Sequence, residues 1–494
     1  MQNAQRTRIA IIGGGLTGLA AANRLGELSG ADGLPLDVTL FEAGPRLGGI
    51  VGSVERDGYL IDTGADSFIT NKPGALQLCQ RIGLAERLQA TEPKYRGALV
   101  LFQGRPTPVP EGFQLLSPSA MWPMLLTPIL SPWGKLRMAA EYLIPAGTSG
   151  RDETLASFVR RRFGAEALDR LVQPLVGGIY TSDPERLSLA ATMPRFLEME
   201  RAHGSLIKAS RAAKTAADAE DRVSSGARYG LFAGLRGGMQ ELVDALSARV
   251  SQGCKVRLNA PIAAITRRAG VTSDADYRLQ FCDHSPEEAY DAVLVTLPTH
   301  RAAEILCELD DPLAAALRTI EYASSAIVVT GHALANVADP LRAFGLVIPH
   351  REGRRILAVS FSSRKFPNRA PAGRVLLRTF VGGAMQPELN LLDDEALVRT
   401  VREELHSTLG VTGEPDFSIV VRYPRAMPQY TVGHLDRVAR IEALTRNHSR
   451  LQLAGNAYQG VGVPDAIYSG EQAAERIFQE CRSASPVPAS MTTA

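Results

Sequence analysis

Residues 8–42 read RIAIIGGGLTGLAAANRLGELSGADGLPLDVTLFE, and this stretch decides the fold of the chain. It opens with a short apolar run that has the profile of a buried parallel strand, followed by a glycine-rich turn and an alanine- and leucine-rich helix. A second apolar strand ends in Glu42, 24 residues after Gly18. This order of strand, glycine turn, helix, strand and acid predicts an α/β fold built on a Rossmann unit.

Each residue type in the turn has a physical role in binding a dinucleotide. Gly13 permits the tight turn, Gly15 beside Gly14 lets the backbone approach a pyrophosphate, and Gly18 lets the helix pack closely on the strand. Glu42 would accept hydrogen bonds from a ribose, and its charge argues against a 2′-phosphate. The glycines alone are weak evidence, since the bare spacing also arises by chance. The flanking strand, helix and acid therefore carry the prediction.

Composition excludes several classes of function. The 494 residues carry a net charge of +2, with 21% charged and 45% hydrophobic side chains, which predicts a soluble protein of two or three domains and no nucleic-acid partner. Five scattered cysteines and eight histidines show no CxxC or HExxH spacing, so we expect reduced thiols in a cytoplasm and no metal. The segment before the first strand is polar, so we expect no signal peptide there.

The segment 113–146 holds both tryptophans, Trp122 and Trp133, and is interrupted by prolines. No apolar run in it reaches the roughly 20 residues of a spanning helix. Two interpretations stay open: an apolar surface that touches a membrane or admits a hydrophobic substrate, or the small core of a helical subdomain.

Motifs spread along the chain add a specific resemblance. After Glu42 come GPRLGG at 44–49 and DTGADSF at 62–68, an order that resembles the flavin monoamine oxidase superfamily and favours FAD over NAD. Further motifs resemble the porphyrinogen oxidase family over nearly the whole chain. They are GGIYTSDPERLS at 177–188, LRGGMQ at 235–240, MPQYTVGH at 427–434 and LAGNAYQGVGVPDAIYSG at 453–470.

The resemblance implies oxidation of protoporphyrinogen IX or coproporphyrinogen III to the porphyrin in haem biosynthesis. FAD would accept hydride and O2 would be the terminal oxidant, with release of three H2O2. Two electron-rich pyrroles flank the carbon that loses hydride, so we expect no catalytic acid or base from the protein. Implied partners are the porphyrinogen, O2 and a ferrochelatase-type next enzyme. The sequence leaves open the preferred porphyrinogen, the oligomeric state and a peripheral membrane contact.

The resemblance also implies site residues. For FAD they are Gly13, Gly14, Gly15, Gly18, Glu42, Arg46, Gly49, Gly64, Ala65, Asp66, Ser67, Ile262, Tyr423, Val461, Gly462 and Val463. The macrocycle would lie against Gly178, with Val347 and Phe380 among the apolar wall residues. Some members carry an arginine for a propionate at the position of Asp66, which here resembles the coproporphyrinogen-oxidising branch. Lys72 is then the candidate propionate partner, with a solvated loop lysine as the alternative.

These inferences predict a discontinuous domain organisation with a Rossmann-type FAD-binding domain, an interleaved α+β substrate domain and a small helical subdomain. Competing hypotheses are another flavin amine oxidase-like oxidase or desaturase, and a non-catalytic binding protein of the same fold. The predicted ranges are 1–75, 230–300 and 436–482 for FAD binding, 76–90, 165–229 and 301–435 for substrate binding, 91–164 for the helical subdomain that carries the candidate membrane contact, and 483–494 for a disordered tail.

Overall fold

The computed structural model describes residues 6–114, 116–118, 121–147, 152–212, 231–267 and 277–484. The sequence at 218–230 also predicts a flexible excursion, and this segment lies outside these residues. Most of the predicted disordered tail lies outside them as well. The tail prediction is wrong at its start, because the final helix, Val463–Ala484, includes residues 483 and 484.

A parallel five-stranded sheet forms the centre of the molecule. Every strand in it is short, and the central strands carry apolar runs that are buried on both faces, as parallel strands covered by helices require. In spatial order the strands are Cys254–Arg257, Leu36–Phe41, Thr7–Ile12, Ala292–Val295 and Leu451–Leu453. The chain order reverses beside Thr7–Ile12, and in open α/β sheets ligands bind at the carboxyl ends of the strands at such a point.

Helices cover both faces of this sheet. One face packs against Leu16–Asp32, Gln240–Gly253, Val463–Ala484 and the shorter Gly74–Arg81. The other face packs against Thr299–Leu306, Asp311–Arg318, His434–Thr445 and the small antiparallel sheet of Ile262–Arg267, Tyr277–Phe281 and Glu288–Tyr290. The result is the three-layer α/β arrangement that the N-terminal sequence predicts.

A seven-stranded mixed sheet is the second large sheet of the molecule. In spatial order its strands are Phe417–Pro428, Tyr322–Ala333, Arg374–Gly382, Ala358–Phe361, Gly345–Val347, Leu99–Phe102 and Arg105–Pro108. Helix Asp394–Leu409 packs on one face; the Asp393 side chain caps its start and Gly410, at φ 63°, ends it. The opposite face packs against Tyr59 and Ile61, and at Val347 it borders the helical unit.

Shorter elements complete the fold. The strands are Ser53–Arg56, Tyr59–Asp62, Phe68–Ile69, Leu88–Ala90, Phe113–Gln114, Ser117–Pro118 and Phe232–Leu235. The helices are Met121–Leu126, Pro132–Ala139, Leu155–Phe163, Ala165–Ala167, Gln173–Tyr180, Leu189–Thr192, Pro194–His203 and Ser362–Lys365. The helices from 121 to 203 form one unit around a shared apolar core.

The packing differs from the predicted division of the chain in three places. Strands Leu99–Phe102 and Arg105–Pro108 belong to the seven-stranded sheet rather than to the helical subdomain, because Leu99 and Val100 pair with the strand at 345–347. Residues 301–318 and helix Gly74–Arg81 bury their apolar faces against the dinucleotide sheet, not in the substrate domain. In each case the partner that decides the packing is distant in sequence.

The apolar segment 113–146 contributes to the core of the helical unit and also exposes apolar side chains; contact of these side chains with a membrane or a hydrophobic substrate stays a prediction. Met124, Ile129 and Met138 are buried in the core of the helical unit. Trp122 and Trp133 are 71% and 78% exposed. Among the described residues, no helix is long and apolar enough to cross a membrane.

Candidate active site

The glycine turn after the first strand forms a cradle for an anion. Gly13 adopts φ 112°, a conformation that favours glycine. A Cβ on Gly18 would lie 1.9 Å from the Gly13 carbonyl oxygen, so the backbone of the helix packs directly against the backbone of the turn. Gly15 has open space where a side chain would be. The helix that begins at Leu16 has no side-chain cap and no acid in its first turn, so its free N–H groups and dipole suit a diphosphate.

A second glycine loop closes over the first. The Gly48 N–H donates to the Gly14 carbonyl at 2.8 Å, and a Cβ on Gly49 would lie 3.2 Å from the Gly15 Cα. Arg46 shapes this loop from outside: its guanidinium donates to the Gly49 carbonyl at 2.7 Å and to the Val51 carbonyl at 3.0 Å. Two stretches of bare backbone therefore face each other at the carboxyl edge of the sheet.

Glu42 ends the second strand beside this cradle. Its carboxylate accepts hydrogen bonds from the N–H groups of Gly14 and Gly44, each at 2.7 Å. The same carboxylate that is predicted to bind a ribose thus fixes the glycine turn, with a lone pair left on each oxygen. Ile262 is buried in the same apolar cluster as Phe41, the residue before Glu42. Its predicted FAD contact stays a prediction.

The DTGADSF segment connects the two sheets. A Cβ on Gly64 would lie 2.1 Å from the Ile50 carbonyl oxygen, so only glycine fits under the second glycine loop. The Tyr423 hydroxyl, on the edge strand of the large sheet, donates to the Thr63 carbonyl. Burial raises the pKa of Tyr423, so the hydroxyl keeps its proton and remains a donor.

Asp66 is the centre of a buried ion cluster. Its carboxylate lies 2.8 Å from Lys365 Nζ and 3.0 Å from the Arg378 guanidinium, and it accepts from Ser67 Oγ at 2.9 Å. Lys365 also donates to Ser67 Oγ at 2.7 Å, and Arg378 donates to the Gly64 carbonyl. Burial opposes ionisation, but the two cations outweigh it and hold the pKa of Asp66 below its usual range. Ala65 lies between these contacts.

The loop at 455–463 faces the cradle from the last strand. The Tyr430 hydroxyl donates to the Asn456 carbonyl at 2.7 Å and accepts from the Gly460 N–H at 2.8 Å. The Tyr430 ring stacks on His434 with centroids 3.8 Å apart. Burial lowers the pKa of His434 to about 4, so this ring is neutral at pH 7.

Asp465 closes the same loop at the start of the final helix. Its carboxylate accepts from the Gly462 N–H at 3.1 Å and pairs with Lys72 Nζ at 2.6 Å. The structure therefore places Lys72 at the loop of Val461 and Val463, with half of its side chain exposed. A substrate propionate would compete with Asp465 for this ammonium group.

The predicted wall residues lie in one cross-strand row. Val347 pairs with Ala358, and Ala358 pairs with Phe380, so all three side chains project from the same face of the seven-stranded sheet. A Cβ on Gly178, in helix Gln173–Tyr180, would lie 3.9 Å from Val347 Cγ1. We call this row the floor; its residue Val347 and Val461 of the loop at 455–463 both border the apolar core of the helical unit.

Sequence reasoning missed several of these residues. Arg378 interrupts an otherwise apolar strand, and that interruption is the one signal that could have pointed to a buried partner. Nothing in the sequence around Lys365 indicates its contact with Asp66, because the two residues lie almost 300 positions apart. Ala358 was missed because a small residue between Val347 and Phe380 is informative only once the strands are paired.

The fold and the two facing glycine loops define a dinucleotide-binding oxidoreductase. A model of the family described as flavin-containing amine oxidoreductase matches residues 16–478. The chain is 34% identical over 479 residues to a coproporphyrinogen III oxidase of Bacillus subtilis (strain 168), covering 95% of this chain and 97% of that protein. It is 31% identical over 491 residues to a chloroplastic protoporphyrinogen oxidase of Nicotiana tabacum, covering 94% and 84%.

A solved structure agrees. The crystal structure of a protein from Exiguobacterium sp. 255-15 matches with a TM-score of 0.82 at 30% identity, covering 97% of this chain and 99% of the other. The chain therefore belongs to the flavin-containing amine oxidoreductase family, and within it to the porphyrinogen oxidases. Its cofactor is FAD, which the open backbone at Gly15 and the uncapped helix start fit.

Proposed function

We propose that this protein oxidises coproporphyrinogen III to coproporphyrin III in haem biosynthesis, with O2 as the final electron acceptor and H2O2 as the second product. The observation that carries the proposal is the floor of Val347, Ala358 and Phe380, whose residue Val347 borders the same apolar core as Val461. A flat apolar surface, with small Gly178 on the facing helix, suits a large planar macrocycle better than a small amine.

The protein's own residues bind and orient both partners. When bound, FAD supplies the hydride acceptor. The two glycine loops would hold its diphosphate, and the loop at 461–463 would present backbone N–H groups to its ring. The floor would limit how deeply the macrocycle enters the site, and the surrounding apolar side chains would exclude water from the reacting carbon. The mechanism assigns no acid or base to the protein.

Two observations favour coproporphyrinogen III over protoporphyrinogen IX. Residue 66 is a buried aspartate paired with Lys365 and Arg378. This position therefore offers a propionate no arginine of the kind that some family members carry there. The curated relative with 34% identity is a coproporphyrinogen III oxidase, against 31% for the tobacco protoporphyrinogen oxidase. Coproporphyrin III carries four carboxylates, and a ferrochelatase-type enzyme would consume it by inserting iron.

The test is aerobic turnover of both porphyrinogens by the purified yellow protein, followed by porphyrin fluorescence and H2O2 release. We expect coproporphyrinogen III to be strongly preferred. Two variants at one position test the floor: Gly178→Ala, whose Cβ fits, and Gly178→Phe, whose ring would occupy the space against Val347. Gly178→Phe should keep bound flavin and lose turnover, whereas Gly178→Ala should keep both. Oxidation of an amine without any porphyrin formation would overturn the proposal.

The exposed apolar side chains of the helical unit support a second, independent part of the proposal, a peripheral membrane contact. Tryptophan and leucine on one surface with lysine nearby suit the membrane interface. The side chains are Trp122, Leu125, Leu126, Trp133, Leu136 and Leu143, with Lys135 among them. Sedimentation with vesicles of anionic lipid should carry the wild type but not Trp122→Ser/Trp133→Ser, and equal binding by both would refute this contact.

A further inference from the structure

A cavity lies away from the floor, between helix Asp394–Leu409 and the end of strand Tyr322–Ala333. Its volume is about 390 Å³, and its wall includes His332, Arg399, Arg402 and His406. We call it the His332 cavity. It opens on the face of the large sheet that the helix covers, so it is not part of the active site.

The strand alternation explains why His332 points toward this helix. A Cβ on the preceding Gly331 would lie 2.7 Å from the Phe417 ring and 2.8 Å from the Tyr59 ring, so Gly331 faces the opposite side. Val328, four residues before His332 and on the same side, packs with Leu397 in the core beneath the helix. His332 therefore lies under the C-terminal half of the helix.

His332 is a buried polar group without a partner. The residue is 2% exposed, and neither ring nitrogen has a hydrogen-bond partner among the described residues. Burial lowers the pKa of His332 to about 4, so the ring is neutral at pH 7, with one N–H donor and one acceptor nitrogen. A buried polar side chain left in this state costs free energy that a suitable ligand would recover.

The helix contributes positive charge to the same cavity. Arg399, Arg402 and His406 follow one another at spacings of three and four residues, which places them on one face. Arg399 forms no ion pair with any described residue, and Arg402 pairs only with Glu414, which is 77% exposed. The acid in the wall, Glu403, is engaged by Arg355 outside. The described wall of the cavity thus holds two arginines and one glutamate, and Arg399 is the arginine left without an ion pair.

We propose that the His332 cavity binds a phosphate group, either inorganic phosphate or a small phosphomonoester, with Arg399 and Arg402 supplying charge and His332 the buried hydrogen-bonding contact. Arginine matches phosphate oxygens with paired N–H groups. The two ring nitrogens of His332 point in nearly opposite directions, so one phosphate can contact only one of them. It accepts from that nitrogen when the nitrogen carries the proton, and it can donate from a protonated oxygen when the nitrogen does not. Sulfate at pH 7 can only accept, so phosphate should bind more tightly.

The experiment is isothermal titration calorimetry of the flavin-loaded protein with inorganic phosphate, sulfate and glycerol 3-phosphate in separate titrations. We expect saturable phosphate binding that weakens about 100-fold in Arg399→Gln/Arg402→Gln, about tenfold for each charged contact. The control is Arg440→Gln/Arg446→Gln, which removes the same charge from exposed positions on another helix and should bind as the wild type does. Tighter binding of glycerol 3-phosphate would identify a phosphomonoester, and tighter binding of phosphate the free ion.

A second readout does not depend on variants at the arginines. The ring nitrogen resonances of His332, assigned by their loss in His332→Phe, should shift when phosphate is added. No saturable binding by the wild type, equal binding by the arginine double variant, or an unchanged His332 signal at saturation would each overturn the proposal.

Discussion

The two ends of the active site are built by different means. At the phosphate end, Gly13, Gly15 and Gly18 come from one short stretch and act through backbone and the absence of side chains. At the substrate end, Asp66 is held by Lys365 and Arg378, which reach it from distant segments through buried charges. The first end depends on close approach and the second on charge pairing.

This difference decides which substitutions each end tolerates. Close backbone approach fails when one methyl group is added, because a backbone carbonyl cannot rotate away as a side chain can. A buried ion cluster keeps its shape when a side chain is replaced by one of equal size, but it loses the charge that offsets desolvation. The predictions below separate these two modes of failure.

The largest effect is expected for Gly18→Ala. The added Cβ would lie 1.9 Å from the Gly13 carbonyl oxygen, so the helix must move from the strand and the cradle must widen. We expect FAD affinity to fall by about 100-fold or more, equivalent to about 3 kcal/mol, measured by flavin fluorescence on dilution. Gly26→Ala in the same helix is the control: its Cβ meets open space, and it should stabilise the helix by about 0.5–1 kcal/mol. Equal flavin affinity in the two variants would contradict the close-approach argument.

The phosphate end could be predicted from sequence because its signals are local. Strand, turn, helix and acid lie within 35 residues, and each glycine has a reason visible in the spacing. The sequence after the loop at 453–470 predicts a final helix over 471–478, whereas the structure extends it over Val463–Ala484. Pro464 is tolerated in its first turn, and Gly470 is required because a Cβ there would lie 2.2 Å from the Thr17 carbonyl oxygen.

The substrate end could be predicted only in part. Val347 and Phe380 came from the family resemblance, and the structure brings them together through Ala358. Their predicted contact with the macrocycle remains a prediction. Neither the pairing of strand 99–102 with 345–347 nor the two cations on Asp66 could be predicted, because periodicity within a segment carries no information about a partner hundreds of residues away.

An effect of similar free energy, but on folding rather than on flavin affinity, is expected for Asp66→Asn. The amide keeps the size of the carboxylate but leaves Lys365 and Arg378 buried without a counter-charge, which should lower the free energy of unfolding by about 3 kcal/mol. The measurement is urea unfolding of the flavin-loaded protein. Asp37→Asn is the control, since its pair with Lys255 is exposed and should contribute about 1 kcal/mol or less.

The pH dependence of this difference gives an independent check. The folded-state pKa of Asp66 lies below that of an unfolded aspartate, so the carboxylate stabilises the fold above the unfolded pKa of about 4. The difference between wild type and Asp66→Asn should therefore be constant from pH 5 to pH 8 and shrink as the pH falls below about 4. A difference that changed between pH 6 and pH 8 would show that another group is responsible.

The smallest effect is expected at Lys72, and it decides how the two ends meet. Lys72 is half exposed and pairs with Asp465, so Lys72→Met should change the free energy of unfolding by about 1 kcal/mol or less. If the ammonium group leaves Asp465 for a propionate, KM for coproporphyrinogen III should rise several-fold with little change in kcat, because the contact is distant from the reacting carbon. KM for protoporphyrinogen IX, which has two propionates fewer, should rise less. An equal rise in KM for both substrates would instead mean that Lys72 acts by holding Asp465 and the loop at 461–463. Lys72 would then belong to the FAD-binding part of the site and not to the substrate end.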